Sequence, residues 1–156
     1  MSAGAANGNA AKGAPLYVTL HVDGGSRGNP GLCGAGALIA AGDDGTVLYE
    51  GGFYLGQGTC NFAEYRGLIE GLKAAIALGA DQIDVYSDSQ LLVRQMTGEY
   101  RVRNGRLQDL HAEAVALAAS FARCTYRHVP RERNRRADEL ANQAMNLRRS
   151  VEDAAP

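Results

Sequence analysis

A chain of 156 residues, 46% of them hydrophobic, has room for one domain with its own core. No apolar run is long enough to span a membrane, and residues 1–14 lack the apolar stretch expected of a secretory leader. The formal net charge of −1 excludes nothing, but residues 1–93 carry four basic and nine acidic side chains, whereas residues 94–149 carry twelve arginines and six acids. That lopsidedness fits a polyanionic partner held near a cation site and a merely solvated arginine-rich surface equally well. Cys33, Cys60 and Cys124 are scattered and lack a CxxC spacing, so the expectation is reduced thiols in a cytoplasmic protein, with neither a disulfide framework nor a zinc site.

Residues 1–14, rich in Ala, Gly and Asn, are expected to form a disordered tail. A single domain follows at 15–149, and 150–156 read as a flexible tail. Residues 16–23 (LYVTLHVD) alternate strictly, with Leu16, Val18, Leu20 and Val22 on one side and Tyr17, Thr19 and His21 on the other, which is the period of a strand. GGSRGNPG (24–31) is a Gly/Pro turn; it lacks the GK[ST] ending of a phosphate loop and opens onto a strand. Apolar segments at 34–41 and 47–56 complete an antiparallel meander. The period then changes. Phe62, Tyr65, Ile69, Leu72 and Ile76 recur at helical spacing, and Gly79 is placed to stop the helix. A short strand (82–88), a short helix (89–96), a long helix (105–121) and a last strand (124–129) follow. Asn134 then stands as N-cap of a final helix striped by Ala137, Leu140, Ala141, Ala144 and Met145. This order predicts an α/β domain with a five-stranded mixed sheet, three antiparallel strands then two parallel, flanked by helices.

Four acids sit where pattern alone would not put them. Asp23 ends the first strand, and Glu64 lies in the first turn of the long helix, beside Leu68. Asp88 closes the fourth strand, and Asp138 lies in the first turn of the last helix. Strand ends and helix starts in such a sheet converge on one edge. Carboxylates gathered there repel one another, and hard divalent cations, Mg²⁺ or Mn²⁺, are the natural compensation. A pair of such ions suits in-line phosphoryl chemistry. Each acid taken singly also has an ordinary reading: turn chemistry at a strand end, or helix-dipole stabilisation for Glu64 and Asp138. Asp43, Asp44, Glu50, Asp81 and Asp84 are read as surface charges.

Four segments together resemble the ribonuclease HI family. HVDGGSRGNPGLCGAGALI (21–39) is similar to the family's opening hairpin, and TCNFAEYRGLIEGLKAA (59–75) to its first helix. VYSDSQLLVRQM (85–96) is similar to its D-S-Q junction, and RHVPRERNRRADELANQA (127–144) to its final strand, loop and helix in short members. The resemblance runs over about residues 16–147, with the segments in family order. It implies a ribonuclease H-like fold and an endoribonuclease that hydrolyses the RNA strand of RNA–DNA hybrids by two-metal-ion catalysis, with Mg²⁺ or Mn²⁺, leaving 5′-phosphate and 3′-hydroxyl ends. Asp23, Glu64, Asp88 and Asp138 match the family's metal-binding catalytic carboxylates, and His128 its mobile catalytic histidine, which without the resemblance is a plain strand-end histidine. Asn29, Asn61, Thr59 and Gln90 match substrate contacts, Thr59 in a pocket for a DNA phosphate.

Two departures from the family pattern bear on binding. Cys60 stands where many members carry a substrate-sensing Asn. The short interval from Asp88 to Asp138 leaves no room for the basic handle of longer members. Arg94, Arg101, Arg103 and Arg106 are either its replacement or a solvated surface. The expected partner is the hybrid duplex, acted on by a cytoplasmic monomer without membrane or obligate protein partner. Two rival readings stand beside this one: another nuclease on the same fold, and a non-catalytic nucleic-acid-binding module, which lost carboxylates would have favoured.

Overall fold

Alternation at the start of the domain yields β1 (Tyr17–Arg27), in which Val18, Leu20 and Val22 are buried along one face. The computed structural model describes residues 15–154, so the tail expected at 1–14 lies outside the described residues. β2 (Gly31–Ala41) and β3 (Val47–Gly58) continue as an antiparallel meander. β4 (Gln82–Ser87) runs parallel to β1, and β5 (Arg123–His128) parallel to β4. These are the five strands and senses that the sequence predicts. The helices are α1 (Cys60–Ala77), α2 (Gln90–Met96), α3 (Gly105–Ala118) and α4 (Arg135–Leu147), with a 3₁₀ turn at Arg131–Arg133 before the last.

The sheet has six strands rather than five, in the order β5-β4-β1-β2-β3-β6. The extra strand, β6 (Val151–Ala154), lies within the segment expected to be a flexible tail. Four residues with two apolar side chains, Val151 and Ala154, give no readable period. What orders them is the unpaired backbone along the outer edge of β3, against which Tyr49 to Gly52 pair with Ala154 to Val151. Arg148 ends α4 in the left-handed region (φ 53°) and turns the chain back towards that edge. The Tyr49 hydroxyl donates to Glu152 at 2.6 Å, and the Tyr54 N–H to Ser150 Oγ at 3.0 Å.

Helices cover both faces of the meander. A Cβ on Gly67 of α1 would lie 3.0 Å from the Ala35 methyl, while Cβ atoms on Gly34 and Gly36 would strike α4. Alternate residues of β2 therefore face different helices, α1 on one side and α4 on the other. The α1 stripe is rotated from the expected one. Tyr65, Leu68, Ile69, Leu72 and Ala75 are buried, whereas Ile76 is 37% exposed. Small Ala63, Gly67 and Gly71 let the helix sit close on the Leu68 side instead.

Asp84 is not a surface charge. It is 6% exposed in β4, accepting from the Tyr17 hydroxyl (2.6 Å), Thr125 Oγ1 (2.5 Å) and the Arg123 guanidinium (3.0 Å). Although burial opposes ionisation, the hydrogen bonds from Thr125 and Tyr17 and the Arg123 charge hold its carboxyl below the usual range. The cross-strand neighbours that neutralise it come from β1 and β5, far away in the sequence.

Candidate active site

Asp23 lies inside β1, paired with Gly36, because the strand runs on through the glycines to Arg27. The expected turn therefore begins later, after Arg27. Asp88 follows the last residue of β4. Glu64 is the fifth residue of α1, so it belongs to the second turn rather than the first. Dipole stabilisation at the helix start thus does not account for it. Asp138 is in the first turn of α4, as expected. All four line one cleft of about 380 Å³, together with Arg27 and Arg131.

Close approach of backbone brings them together. A Cβ on Gly24 would lie 2.4 Å from the Ala63 carbonyl carbon and from Glu64 N, and one on Gly36 2.0 Å from the Ala137 oxygen. Hydrogen at these two positions lets α1 and α4 press onto the strands that flank Asp23. Each remaining acid has a neutral holder. Ser89 Oγ donates to Glu64 Oε1 at 3.0 Å, while accepting from Leu92 N as the N-cap of α2. Asn142 Nδ2 contacts Asp138 Oδ1 at 3.4 Å. The sequence predicts Asn134 as the N-cap of α4, yet its side chain makes no cap bond. It donates to the Val22 carbonyl at 2.7 Å and to Asp88 Oδ1 at 3.3 Å, fastening Asp88 to β1. Sequence reasoning missed the roles of Ser89 and Asn134. Both sit next to or near an acid in the motifs, but capping residues look alike whatever else they bind.

Burial pushes the Asp23 carboxyl up to about 8, helped by the charges of Asp88 and Asp138 and hydrogen bonds with them. Burial likewise pushes Glu64 up to about 7, with Asp88 adding to the shift and the Ser89 hydrogen bond opposing it. The cleft thus holds more carboxylate than its surroundings support. Hard oxygen donors in an over-charged cleft fit a hard divalent cation. Among the described residues, however, no three His, Cys, Asp or Glu side chains stand grouped as a ready metal shell.

His128 ends β5, is exposed and does not line the cleft; Arg131 does. Asn29, Thr59, Cys60 and Asn61 line a second cavity of about 470 Å³, with Asn104 and Arg106 on its far side. Asn29 Oδ1 accepts from Cys60 N at 3.1 Å, tying the β1–β2 turn to the start of α1, and Thr59 Oγ1 caps that helix. Arg106 lies over the Phe62 ring, 4.2 Å from its centroid. Cys60 borders both cavities, and Gln90, exposed at the start of α2, borders neither. Asn104, the cap of α3, was not singled out from the sequence, where only its position before Gly105 marks it.

A mixed sheet of this order, with helices on both faces and acids from four stretches of the chain converging on one edge, is a ribonuclease H-like architecture. A family model described as reverse transcriptase-like matches residues 21–144. The bifunctional protein Rv2228c of Mycobacterium tuberculosis is 49% identical over 131 residues, 84% of this chain; the chain spans only 36% of that protein's length. The N-terminal RNase H domain of that protein, solved as a fusion with maltose binding protein, superimposes with a TM-score of 0.82 at 48% identity, covering 85% of this chain and 95% of the other. RNase H1 of the archaeon Halobacterium salinarum gives a TM-score of 0.81 at 40% identity, over 84% and 98% of the two chains. LC11-RNase H1, solved in complex with an RNA/DNA hybrid, gives 0.79 at 36% identity, over 84% and 98%. The chain belongs to the ribonuclease HI family.

Proposed function

We propose that this chain is an endoribonuclease that hydrolyses the RNA strand of RNA–DNA hybrids, leaving 5′-phosphate and 3′-hydroxyl ends. The observation that carries the reading is the meeting of Asp23, Glu64, Asp88 and Asp138, from four separate stretches of the chain, in one cleft. Asp23 stands at the centre of the charge, and Ser89, Asn134 and Asn142 keep the other three acids aimed inward. Asp23, Glu64, Asp88 and Asp138 would hold Mg²⁺, with Mn²⁺ as a substitute, and two such ions would supply activation of a water and stabilisation of the leaving oxygen.

The second cavity seats a phosphate of the DNA strand, between Thr59 and Asn61 on one side and Asn104 and Arg106 on the other. Binding is then mostly to backbone, with RNA recognised through its 2′-hydroxyl. Cys60, between the two cavities, and Gln90 are the side chains assigned to the path of the hybrid. His128, outside the cleft lining, acts on the product as it leaves. No helix among the described residues is long and apolar enough to cross a membrane. With three free thiols, the reading is completed by a cytoplasmic monomer.

The deciding assay compares end-labelled RNA–DNA hybrid, double-stranded RNA and double-stranded DNA. Cleavage confined to the RNA of the hybrid, and stopped by excess EDTA, is expected. Persistence of cleavage in EDTA would remove the metal mechanism, and equal cutting of double-stranded DNA would remove the substrate assignment. Arg106→Ala tests the second cavity: KM for the hybrid rises roughly tenfold with kcat little changed, as for loss of one charge-assisted phosphate contact. An unchanged KM would take Arg106 out of the binding surface.

A further inference from the structure

Between Arg123 and Arg136 the chain carries four more arginines, Arg127, Arg131, Arg133 and Arg135, with Glu132 as the only acid among them. The two at the ends are paired, Arg123 with Asp84 at 3.0 Å and Arg136 with Glu50 at 2.7 Å and Glu139 at 3.1 Å. The four between are exposed, and none of their side chains makes an ion pair or hydrogen bond among the described residues. Their guanidinium groups are therefore open to an anion from outside the protein.

Their placement is continuous with the catalytic cleft. Arg131 and Asp138 line both that cleft and a neighbouring cavity of about 350 Å³, whose other walls are Glu132 and Arg135. Beyond it, Arg127 stands beside Tyr86 in register on β4, on the face where Tyr86 stacks on His21 at 4.9 Å. Helix α4 packs mainly against β1, β2 and β3, and the helix that packs on β4 and β5 is the short α2. Arg131 and Arg135 in that cavity, Arg133 in the same 3₁₀ turn as Arg131, and Arg127 near the end of β5 make an arginine-rich margin that leads from the carboxylates, interrupted by Glu132, to the stacked ring pair.

We propose that this margin binds the single-stranded continuation of the RNA strand as it leaves the hybrid. The inference rests on the reading above, in which the carboxylates grip the RNA strand, so the strand that passes Arg131 next is that one. Phosphates in series match guanidinium groups in series. A duplex seated in the cleft cannot turn onto the flat face of β4 and β5, whereas a flexible single strand can follow a basic groove.

The test uses the full chain carrying Asp23→Asn, with binding read by fluorescence anisotropy. The probes are a blunt hybrid and the same hybrid with overhangs of roughly ten nucleotides on each of its four ends in turn. One RNA-strand overhang is expected to bind about tenfold tighter than the blunt hybrid, with a steeper salt dependence. Adding Arg127→Glu and Arg133→Glu, neither of which lines the cleft, should return that overhang to the blunt value. Each lost single-strand phosphate contact lowers the salt slope by roughly 0.7. Four overhangs that bind like the blunt hybrid, or a gain that survives both arginine changes, overturn the proposal. An equal gain on DNA-strand overhangs overturns its assignment to RNA. Cleavage of the blunt hybrid by the unsubstituted chain is scored separately; if it is absent, the proposed activity has failed, whatever the overhangs do.

Discussion

Asp23→Asn abolishes hybrid cleavage while making the metal-free protein more stable at pH 8. The activity should fall by at least about 10³-fold, because Asp23 is the acid that faces two of the other three and an amide is a poor ligand for a hard cation. The stability effect follows from linkage. Asp23 has its carboxyl raised to about 8 in the folded chain, so the folded state holds a proton that the unfolded state has released above about pH 4. Stability of the metal-free wild-type chain therefore falls as pH rises from about 4 to about 8. Asparagine carries no proton to lose, and the variant escapes this part of the decline. Glu64, raised to about 7, still contributes to the decline in both proteins, so the variant's curve flattens without becoming level. Urea unfolding in EDTA at pH 5 and pH 8 measures it. The gain on substitution should be roughly 1–3 kcal/mol larger at pH 8, after allowance for solvent screening. Added Mg²⁺ should reverse the order by stabilising the wild-type chain more. A variant that cleaves normally, or that is less stable than wild type at pH 8 without metal, contradicts the assignment of Asp23.

What could be read in the sequence was whatever repeats with a period. Alternation at 16–23 and helical spacing at 62–76 and 137–145 marked β1, α1 and α4; short apolar runs between turn residues marked the other strands and helices, and the order of the elements implied the strand senses. β6 was invisible because its order comes from the free edge of β3, and four residues carry no sign of that. Asp84 was misread for a related reason. Its neutralisers, Tyr17, Thr125 and Arg123, reach it only once β1, β4 and β5 lie side by side. At the site, the four acids stood out as breaks in pattern, and the resemblance tied them together. The neutral side chains that aim them did not stand out. Ser89 and Asn134 look like helix caps in any sequence, and only the distances show that Ser89 also holds Glu64 and that Asn134 holds Asp88 instead of capping. His128 illustrates the converse. The resemblance gives it a role, but the strand that carries it ends outside the cleft, and Arg131, reached by the following turn, stands there instead.

The two adjacent glycines after Asp23 are alike in sequence and different in consequence. Both read as turn residues, yet both lie within β1. A methyl on Gly25 meets nothing within 4 Å, whereas one on Gly24 lands 2.4 Å from the backbone of Ala63 and Glu64. Backbone cannot swing aside as a side chain can, so Gly24→Ala must push the start of α1 away from β1. Two effects follow from one displacement. Overpacking costs roughly 1–3 kcal/mol of stability. Glu64 retreats from Asp23 and Asp88, and a misplacement of about 1 Å at a reacting centre costs on the order of 10²-fold in rate. Gly25→Ala serves as the control for stability alone and should unfold within about 0.5 kcal/mol of wild type. Urea unfolding of both variants, with hybrid cleavage by Gly24→Ala, separates the close-approach account from a general need for glycine in a turn. If that general need were the explanation, the two substitutions would be equally damaging to stability. If the close contact with α1 is what sets the carboxylates in place, Gly24→Ala alone is destabilised, and it loses cleavage together with stability.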